Sequence, residues 1–172
     1  MRGPSLPDGA PSLGEVLDFM RLIWALDHGL QSLSKRMQVS IGLTGPQRVT
    51  LRVLGRFPGL SAGELARILL IHPSTLTGVL QRLEARKLVK RTPDAADGRC
   101  SRLALTAKGR RLDVPARGTV EAVVGDVIGR FRRDQVHLTS RVLAVLAQEL
   151  RDKANLVCSP WNKAFKRSIY AS

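Results

Sequence analysis

The sequence predicts a mainly α-helical protein of the α+β class with one small β-sheet. Hydrophobic residues make up 44% of the 172 residues, which is enough for a core, whereas aromatic residues make up only 4%. A core built from Leu, Val, Ile and Ala favours helices packed face to face over a β-sandwich. Apolar residues recur at helical spacing along most of the chain, and one segment has a strand–loop–strand pattern.

The N-terminal part of the chain predicts two helices. Between residues 13 and 37 the apolar residues fall largely on one broad stripe, and Ser12 followed by Glu15 has the spacing of a capping box. The stripe is too apolar to face water, so this helix is expected to need a partner surface. Thr44 is then the expected N-cap of a second helix that ends at about Arg56.

The next segment predicts a helix-turn-helix. Ser61 and Glu64 again have the capping-box spacing, here at the start of a short helix over residues 62–69. Pro73 suits the first turn of a longer helix that runs to about Arg86. Two helices joined by a tight turn form a helix-turn-helix.

A strand–loop–strand pattern follows the second of these helices. Residues 88–92 and 100–105 are predicted as short paired strands, and the loop between them is rich in turn residues and basic. Such a hairpin after a helix-turn-helix is a wing. Thr106 is the expected cap of a C-terminal helical region, and Asp134 is the expected cap of a last helix that ends near Arg151.

The charge of the chain points to a polyanionic partner. Lys and Arg number 28 against 14 Asp and Glu, which gives a formal net charge of +14. A chain this basic repels itself unless a polyanion such as nucleic acid neutralises it. No apolar run approaches the length of a membrane span, and the first residues lack the pattern of a secretory signal, so a cytoplasmic protein without membrane contact is expected.

The helix that begins at Pro73 has the pattern required of a helix in the major groove. Its apolar residues fall on one side, and its polar residues are short or able to form hydrogen bonds with bases and phosphates. Basic residues continue downstream and would contact phosphates. The candidate DNA-contacting residues of the helix and the strands are Pro73, Ser74, Thr75, Thr77, Gln81, Arg82, Lys90, Arg91 and Arg102.

Several motifs occur together between Leu43 and Gly109. They are PSTLT on the predicted recognition helix, RLEARKLVKR after it, Asp97-Gly98-Arg99 in the wing, and Leu105-Thr106 ahead of Gly109. In this combination and spacing the segment resembles the MarR family of winged helix-turn-helix transcriptional regulators. The resemblance implies a repressor that binds a palindromic site in double-stranded DNA as a homodimer, with two recognition helices in successive major grooves.

The resemblance also implies roles for individual residues. Arg99 would lie at the tip of the wing in the minor groove, and Asp97 would orient it through a charge-assisted hydrogen bond. The helix residues that it places on DNA are Ser74, Thr75, Thr77 and Arg82. Gly78 departs from the family, which often has Arg or another long polar residue there, and this predicts fewer base contacts and more reliance on phosphate and DNA shape.

The composition and periodicity of the sequence, together with the resemblance, divide the chain into five segments. These are a disordered leader (1–12), an N-terminal dimerisation helix (13–42), a winged helix-turn-helix DNA-binding domain (43–109), C-terminal dimerisation helices (110–152) and a basic tail (153–172).

A small lipophilic or phenolic effector is a further expectation from the resemblance. Family members commonly bind such molecules between the dimerisation helices and the DNA-binding lobe. Met20, Trp24, His28 and Arg52 are the candidate ligand-binding residues. The alternative for each of them is an ordinary place in the core or on a helix surface, and this alternative is favoured for any single residue.

Other functional classes find little support in the sequence. His28, His72 and His137 with Cys100 and Cys158 match no compact zinc pattern, so no metal or other cofactor is expected. No nucleophile–base pair, paired carboxylates or phosphate-binding glycine loop is visible, so the chain is not expected to be an enzyme.

Two alternatives stay open at this point. Cys100 lies among basic residues and could be redox-active, although a small strand residue is the favoured interpretation. The chain could also be a winged-helix architectural or interaction module that binds nucleic acid without sequence preference.

Overall fold

A computed structural model of the chain describes residues 11–94 and 101–157, the last three of these without their side chains. Within these ranges the structure is mainly helical with a small antiparallel sheet, as predicted. In chain order the elements are α1 (Glu15–Ser40), α2 (Gly45–Arg56), β1 (Leu60–Ser61), α3 (Ala62–Leu69), α4 (Pro73–Ala85), β2 (Val89–Pro93), β3 (Ser101–Leu105), α5 (Ala107–Leu112), α6 (Val120–Ile128) and α7 (Arg133–Val157).

The chain divides into two compact units, one ending at Val123 and the other beginning at Val124. The first unit contains the main hydrophobic core, which α2, α3, α4 and the sheet share. Leucines fill most of this core, in line with the low aromatic content. Its fully buried members include Leu51, Leu65, Leu80 and Leu103. The core therefore fixes the helix-turn-helix formed by α3 and α4 on a rigid base.

The sheet has three strands in the order β1–β3–β2. Both pairings are antiparallel, and Val89 lies opposite Leu105 in the β2–β3 hairpin. The predicted hairpin is confirmed with β2 shifted by one residue, whereas β1 was not predicted. Its two residues, Leu60 and Ser61, pair with Leu103 and Arg102. So short a strand has no periodicity of its own, and only the presence of β3 beside it makes it a strand.

Helix capping agrees with the sequence at three of the predicted positions, Thr44, Ser61 and Thr106. Thr44 and Ser61 each accept a hydrogen bond from the backbone N–H three residues later, and the Gln47 and Glu64 side chains complete both capping boxes. At Leu70 the chain leaves α3 in the left-handed conformation, with φ of 54°. This reversal makes the tight turn between α3 and α4.

Two other predicted caps are wrong. The N-cap of α1 is Gly14, without a side-chain hydrogen bond, because the Ser12 hydroxyl instead donates to the Asp18 carboxylate at 2.9 Å. Asp134 lies inside the first turn of α7, where its carboxylate accepts hydrogen bonds from the Arg132 guanidinium. In both places a nearby side chain competes with the backbone for the capping group.

The motif around Gly109 has a clear packing reason. A Cβ placed on Gly109 would lie 2.1 Å from the Leu88 carbonyl oxygen, so only glycine allows α5 to pass this close to the start of β2. Thr106, the N-cap of α5, donates its hydroxyl proton to the Lys87 carbonyl at 2.7 Å and accepts from the Gly109 N–H at 3.0 Å. These contacts hold the start of α5 against the chain that enters β2, at the base of the hairpin.

A buried arginine ties α2 to α5, to α6 and to the segment between them. Arg48 is 2% exposed, and its guanidinium donates to the Glu121 carboxylate at 2.6 Å, to the Val114 carbonyl at 2.5 Å and to the Leu112 carbonyl. A buried charge is tolerated only when it is paired and hydrogen-bonded in this way. The helical pattern of the sequence gave no sign that this position would be buried.

The C-terminal helix is longer than predicted. α7 continues past Arg151 to Val157 and so includes the first residues of the segment predicted as a basic tail. The rest of that segment and residues 1–10 of the predicted leader lie outside the described residues. Across the described ranges, no helix has both the length and the apolar character that crossing a bilayer requires.

Candidate nucleic-acid interface

The helix α4 is held in place through its apolar side. Leu76, Val79, Leu80 and Leu83 are each at most 5% exposed and belong to the main core. Burying four such side chains stabilises the position of the helix by about 1.5–3 kcal/mol each. The orientation of the opposite side of α4 is therefore fixed by the lobe that carries it.

The opposite side of α4 consists of polar residues and one glycine. Apart from the half-exposed Gly78, all of its members are exposed, which confirms the amphipathic pattern predicted for this helix. We call this surface the outer face of α4; its residues are Ser74, Thr75, Thr77, Gly78, Gln81 and Arg82. A helix supported on one side and presenting hydrogen-bonding groups on the other has the form that major-groove recognition requires.

The start of α4 has a capping arrangement that the sequence analysis missed. His72 is the N-cap, and its Nδ1 atom accepts from the Ser74 N–H at 3.3 Å and lies 2.7 Å from the Ser74 hydroxyl. Thr77 donates its hydroxyl proton to the Pro73 carbonyl at 2.9 Å. The place of His72 directly before a first-turn proline was the available signal, because a side chain with an acceptor atom can cap there.

Arg91, a predicted phosphate contact, is engaged within the protein. Its Nε atom donates to the Glu84 carboxylate at 2.6 Å, which joins β2 to the last turn of α4. Both side chains are partly exposed, so the pair is screened by water and contributes little to stability. Its main effect is to neutralise part of the positive charge of Arg91 and to fix the hairpin beside α4.

Arg102 lies in a cluster of acidic groups at the base of the wing. Its guanidinium donates to the Asp94 carboxylate at 2.5 Å and to the Glu64 carboxylate at 3.4 Å. Hydrogen bonds from the Ser61 backbone and hydroxyl, with a smaller effect of Arg102, hold the pKa of Glu64 below its ordinary value although partial burial opposes this. The cluster connects β3 to the residue after β2 and to the start of α3.

Two other predicted cations lie open to a partner. In the part of the chain that the structure describes, neither Lys90 on β2 nor Arg82 on α4 forms an ion pair, and both are exposed. They are therefore available to phosphates, unlike Arg91 and Arg102. The wing residues Asp97 and Arg99, and with them Cys100, lie outside the described residues.

The candidate effector residues lie on two helices. Met20, Trp24 and His28 are exposed along one side of α1, one turn apart. Arg52 on α2 donates to the Asp113 carboxylate at 2.7 Å and to its backbone carbonyl at 2.8 Å. Arg52 also borders an open groove of about 430 Å³, whose other lining residues are Val53, Gly55, Arg56, Phe57 and Asp113. The groove is thus formed by α2 and the end of α5, with no lining from the α1 candidates.

The histidines show no sign of a shared metal site. Over residues 11–94 and 101–157, no three His, Cys, Asp or Glu side chains converge as metal ligands would. His72 has the capping role described above, and His28 and His137 are exposed on α1 and α7.

The sequence is similar to a known family and to characterised regulators. The model of the MarR family matches residues 41–99, which include α2, α3, α4 and β2. The HTH-type transcriptional repressor Rv2887 of Mycobacterium tuberculosis is 37% identical over 109 residues, which is 63% of this chain and 78% of the relative.

Solved structures have the same fold. The crystal structure of the S. aureus MepR–DNA complex superposes with a TM-score of 0.65 at 21% identity and covers 77% of this chain and 97% of MepR. The PcaV transcriptional regulator from Streptomyces coelicolor, solved in complex with its natural ligand, also has a TM-score of 0.65, at 24% identity, and covers 81% of this chain and 98% of PcaV. Given the family match and the identity to Rv2887, the chain belongs to the MarR family of transcriptional regulators.

Proposed function

We propose that this chain is a repressor that binds a palindromic site in double-stranded DNA as a homodimer. The outer face of α4 would lie in the major groove, and the wing would follow the neighbouring backbone. The observation that carries the proposal is α4 itself: its apolar side is buried in the core, and its polar side, which includes Arg82, is exposed. The net charge of +14 suits a polyanionic partner.

The homodimer is supported by apolar surface that the chain leaves exposed. Along α1, Val16, Leu17, Met20 and Trp24 are between 37% and 71% exposed, and they share one side of the helix; we call them the α1 stripe. In the second unit, α7 exposes Leu138 and Val145 to a similar extent. Contiguous exposed apolar surface on a small protein marks an interface. Two copies related by a two-fold axis would present two α4 helices to a palindrome.

Individual DNA contacts follow from the geometry of the exposed groups. At the start of α4, the Thr75 backbone N–H and the hydroxyls of Ser74 and Thr75 would lie near a phosphate. Pro73, which has no N–H to donate, would pack against the same stretch of DNA backbone. The Ser74 N–H is already bonded to His72 Nδ1. Thr77, Gln81 and Arg82 would face base edges. Lys90 would contact a phosphate, and Arg99, oriented by Asp97, would enter the minor groove. These residue roles are proposals.

Repression, release by an effector and a cytoplasmic location complete the proposal. Rv2887 is named as a repressor, and PcaV was solved with a natural ligand, which suggests a similar mode of control. A small lipophilic or phenolic molecule would bind near Met20, Trp24, His28 and Arg52. The proposal assigns the chain no catalytic step.

The direct test measures sequence preference. The full-length chain would be titrated by gel shift into the duplex upstream of its own gene and into a scrambled duplex, at fixed salt and with competitor DNA. We expect affinity at least about a thousandfold higher for the palindrome-containing duplex, which is the usual ratio for specific regulators. Equal affinity for both duplexes would contradict the proposal and favour an architectural module.

A further inference from the structure

We infer that Gly78 lets the backbone of α4 approach the floor of the major groove, so that the centre of each half-site is met by main chain. Any larger residue would hold the helix further out. The inference rests on the proposed function, because it needs α4 to lie in the groove. It makes Gly78 a residue that determines specificity through close approach instead of through a side-chain contact.

Gly78 lies at the middle of the outer face of α4. It is four residues after Ser74 and four before Arg82, and three residues from both Thr75 and Gln81. On a helix these spacings place all four side chains around the same point. Gly78 is therefore the residue nearest to any surface that contacts this face evenly.

Nothing within the described chain requires a glycine at this position. Its φ is not positive, and a Cβ placed on it meets no heavy atom within 4 Å. By contrast, a Cβ on Gly109 would lie 2.1 Å from a carbonyl oxygen, and one on Gly55 would lie 1.8 Å from the Asp113 carboxylate. Glycine is among the least favourable residues inside a helix. Gly29 on α1 also lacks such a contact, but Gly78 is the glycine that lies within the outer face of α4, where a close approach by DNA would account for it.

The residues before Gly78 keep the surface low. The Ser74 hydroxyl lies 2.7 Å from His72 Nδ1, so it is turned toward the capping side chain. The Thr77 hydroxyl donates to the Pro73 carbonyl, so it is turned toward the helix backbone. Longer side chains begin only at Gln81 and Arg82. The first half of the outer face thus presents backbone and small groups, which allows the helix axis to come nearer to base edges.

A simpler alternative is that Gly78 leaves an empty position whose base pair goes unread. The two accounts predict opposite results when a side chain is added. Under close approach, even a methyl group pushes the helix outward and weakens binding. Under the alternative, a methyl group is harmless, and a long polar side chain gains a base contact.

The test uses a size series at this position. The full-length wild type would first select a duplex from a randomised pool, and fluorescence anisotropy would then give the affinities of Gly78→Ala, Gly78→Leu and Gly78→Gln for it. We expect roughly tenfold weaker binding for Gly78→Ala and a larger loss for Gly78→Leu, as overpacking does elsewhere. The melting temperature of Gly78→Ala should instead rise by about 2–4 °C, since alanine favours helix.

Gly29→Ala is the matched control. Gly29 also lies inside an exposed helix, α1, and a Cβ there meets no heavy atom within 4 Å. This variant should gain melting temperature and keep both wild-type affinity and molar mass.

The possible outcomes separate the inference from the proposed function. If Gly78→Ala binds the selected duplex as tightly as wild type, or Gly78→Gln binds more tightly, the close approach is wrong and the proposed function stands. If the wild type selects no sequence from the pool, the proposed function fails and the inference fails with it.

Discussion

The helices α1 and α4 are both exposed on one side, but their exposed sides differ in chemistry. The outer face of α4 is polar, and the residues behind it are buried in the core. The α1 stripe is apolar, and Met37 is the only residue of α1 that is fully buried in the described chain. The difference shows that α4 is already supported and free to meet a polar partner, whereas α1 still needs an apolar one.

The largest effect is expected at the α1 stripe. Leu17→Glu should raise the dimer dissociation constant by about 100-fold or more, because burying a leucine is worth about 1.5–3 kcal/mol and a buried carboxylate adds a desolvation cost. Sedimentation equilibrium would measure the change. Gln38→Glu, which makes the same charge change at an exposed position of α1, is the control. An unchanged dimer in Leu17→Glu would remove the stripe from the interface.

A change on the outer face of α4 should weaken DNA binding and leave the dimer intact, whereas Leu17→Glu weakens the dimer itself. Arg82→Ala is expected to weaken binding to the specific duplex by about 1–3 kcal/mol, the usual worth of a base contact, and to leave the dimer intact. Anisotropy titrations at fixed salt and molar-mass measurements would test both parts. Arg36→Ala removes an exposed arginine from α1 and should bind DNA normally. Similar losses in the two variants would indicate only a general effect of charge.

A smaller difference is expected between two neighbouring cations of the hairpin. Lys90→Ala should reduce the slope of log affinity against log salt by about one unit, since a phosphate contact releases about one counterion. Arg91→Ala should change the slope less, because Glu84 already pairs with Arg91 at 2.6 Å. In Glu84→Gln the slope should become steeper as Arg91 is released. Equal slopes for Lys90→Ala and Arg91→Ala would show that the Glu84 pair opens on DNA.

The smallest effect is expected at the ion pair between Arg48 and Glu121. This pair supports α2, the helix against which α4 packs. Burial disfavours ionisation of Glu121, but hydrogen bonding and attraction from Arg48 outweigh it and lower the pKa of Glu121 from its ordinary 4.5. A lowered pKa means that the stabilisation is present above pH 4.5 and is lost as pH falls through the folded-state value.

Thermal unfolding as a function of pH would measure this contribution. Glu121→Gln should be less stable than wild type at neutral pH, and the difference should shrink as the pH falls below 4.5. A difference between Glu121→Gln and wild type that stays constant with pH would contradict the role of the ion pair.

The sequence predicts the parts of this structure that depend on local chemistry. Neighbouring residues set the N-cap at Thr44, the capping box at Ser61 and the amphipathic pattern of α4, and all three predictions are confirmed. The capping prediction at Ser12 failed because Asp18, six residues away, binds the hydroxyl. Competition between side chains is decided by geometry that residue spacing does not contain.

The candidate site was predictable in outline only. Helical periodicity identified the outer face of α4. The cluster of Lys and Arg residues after it, however, led to the prediction that Arg91 and Arg102 are available to DNA in the same way as Lys90. Their partners Glu84, Asp94 and Glu64 are between seven and 38 residues away in sequence. Such contacts, like the burial of Arg48, are set by tertiary packing, and a pattern of charges along the chain does not reveal them.

The central claim is that two α4 helices occupy successive major grooves of one duplex. Dimethyl sulfate modification of guanine N7, an atom that lies in the major groove, tests it most directly on the selected duplex with and without the full-length protein. We expect two protected clusters about 10–10.5 base pairs apart, centre to centre, and their loss in Leu17→Glu. A single cluster, or modification unchanged by bound protein, would contradict the account.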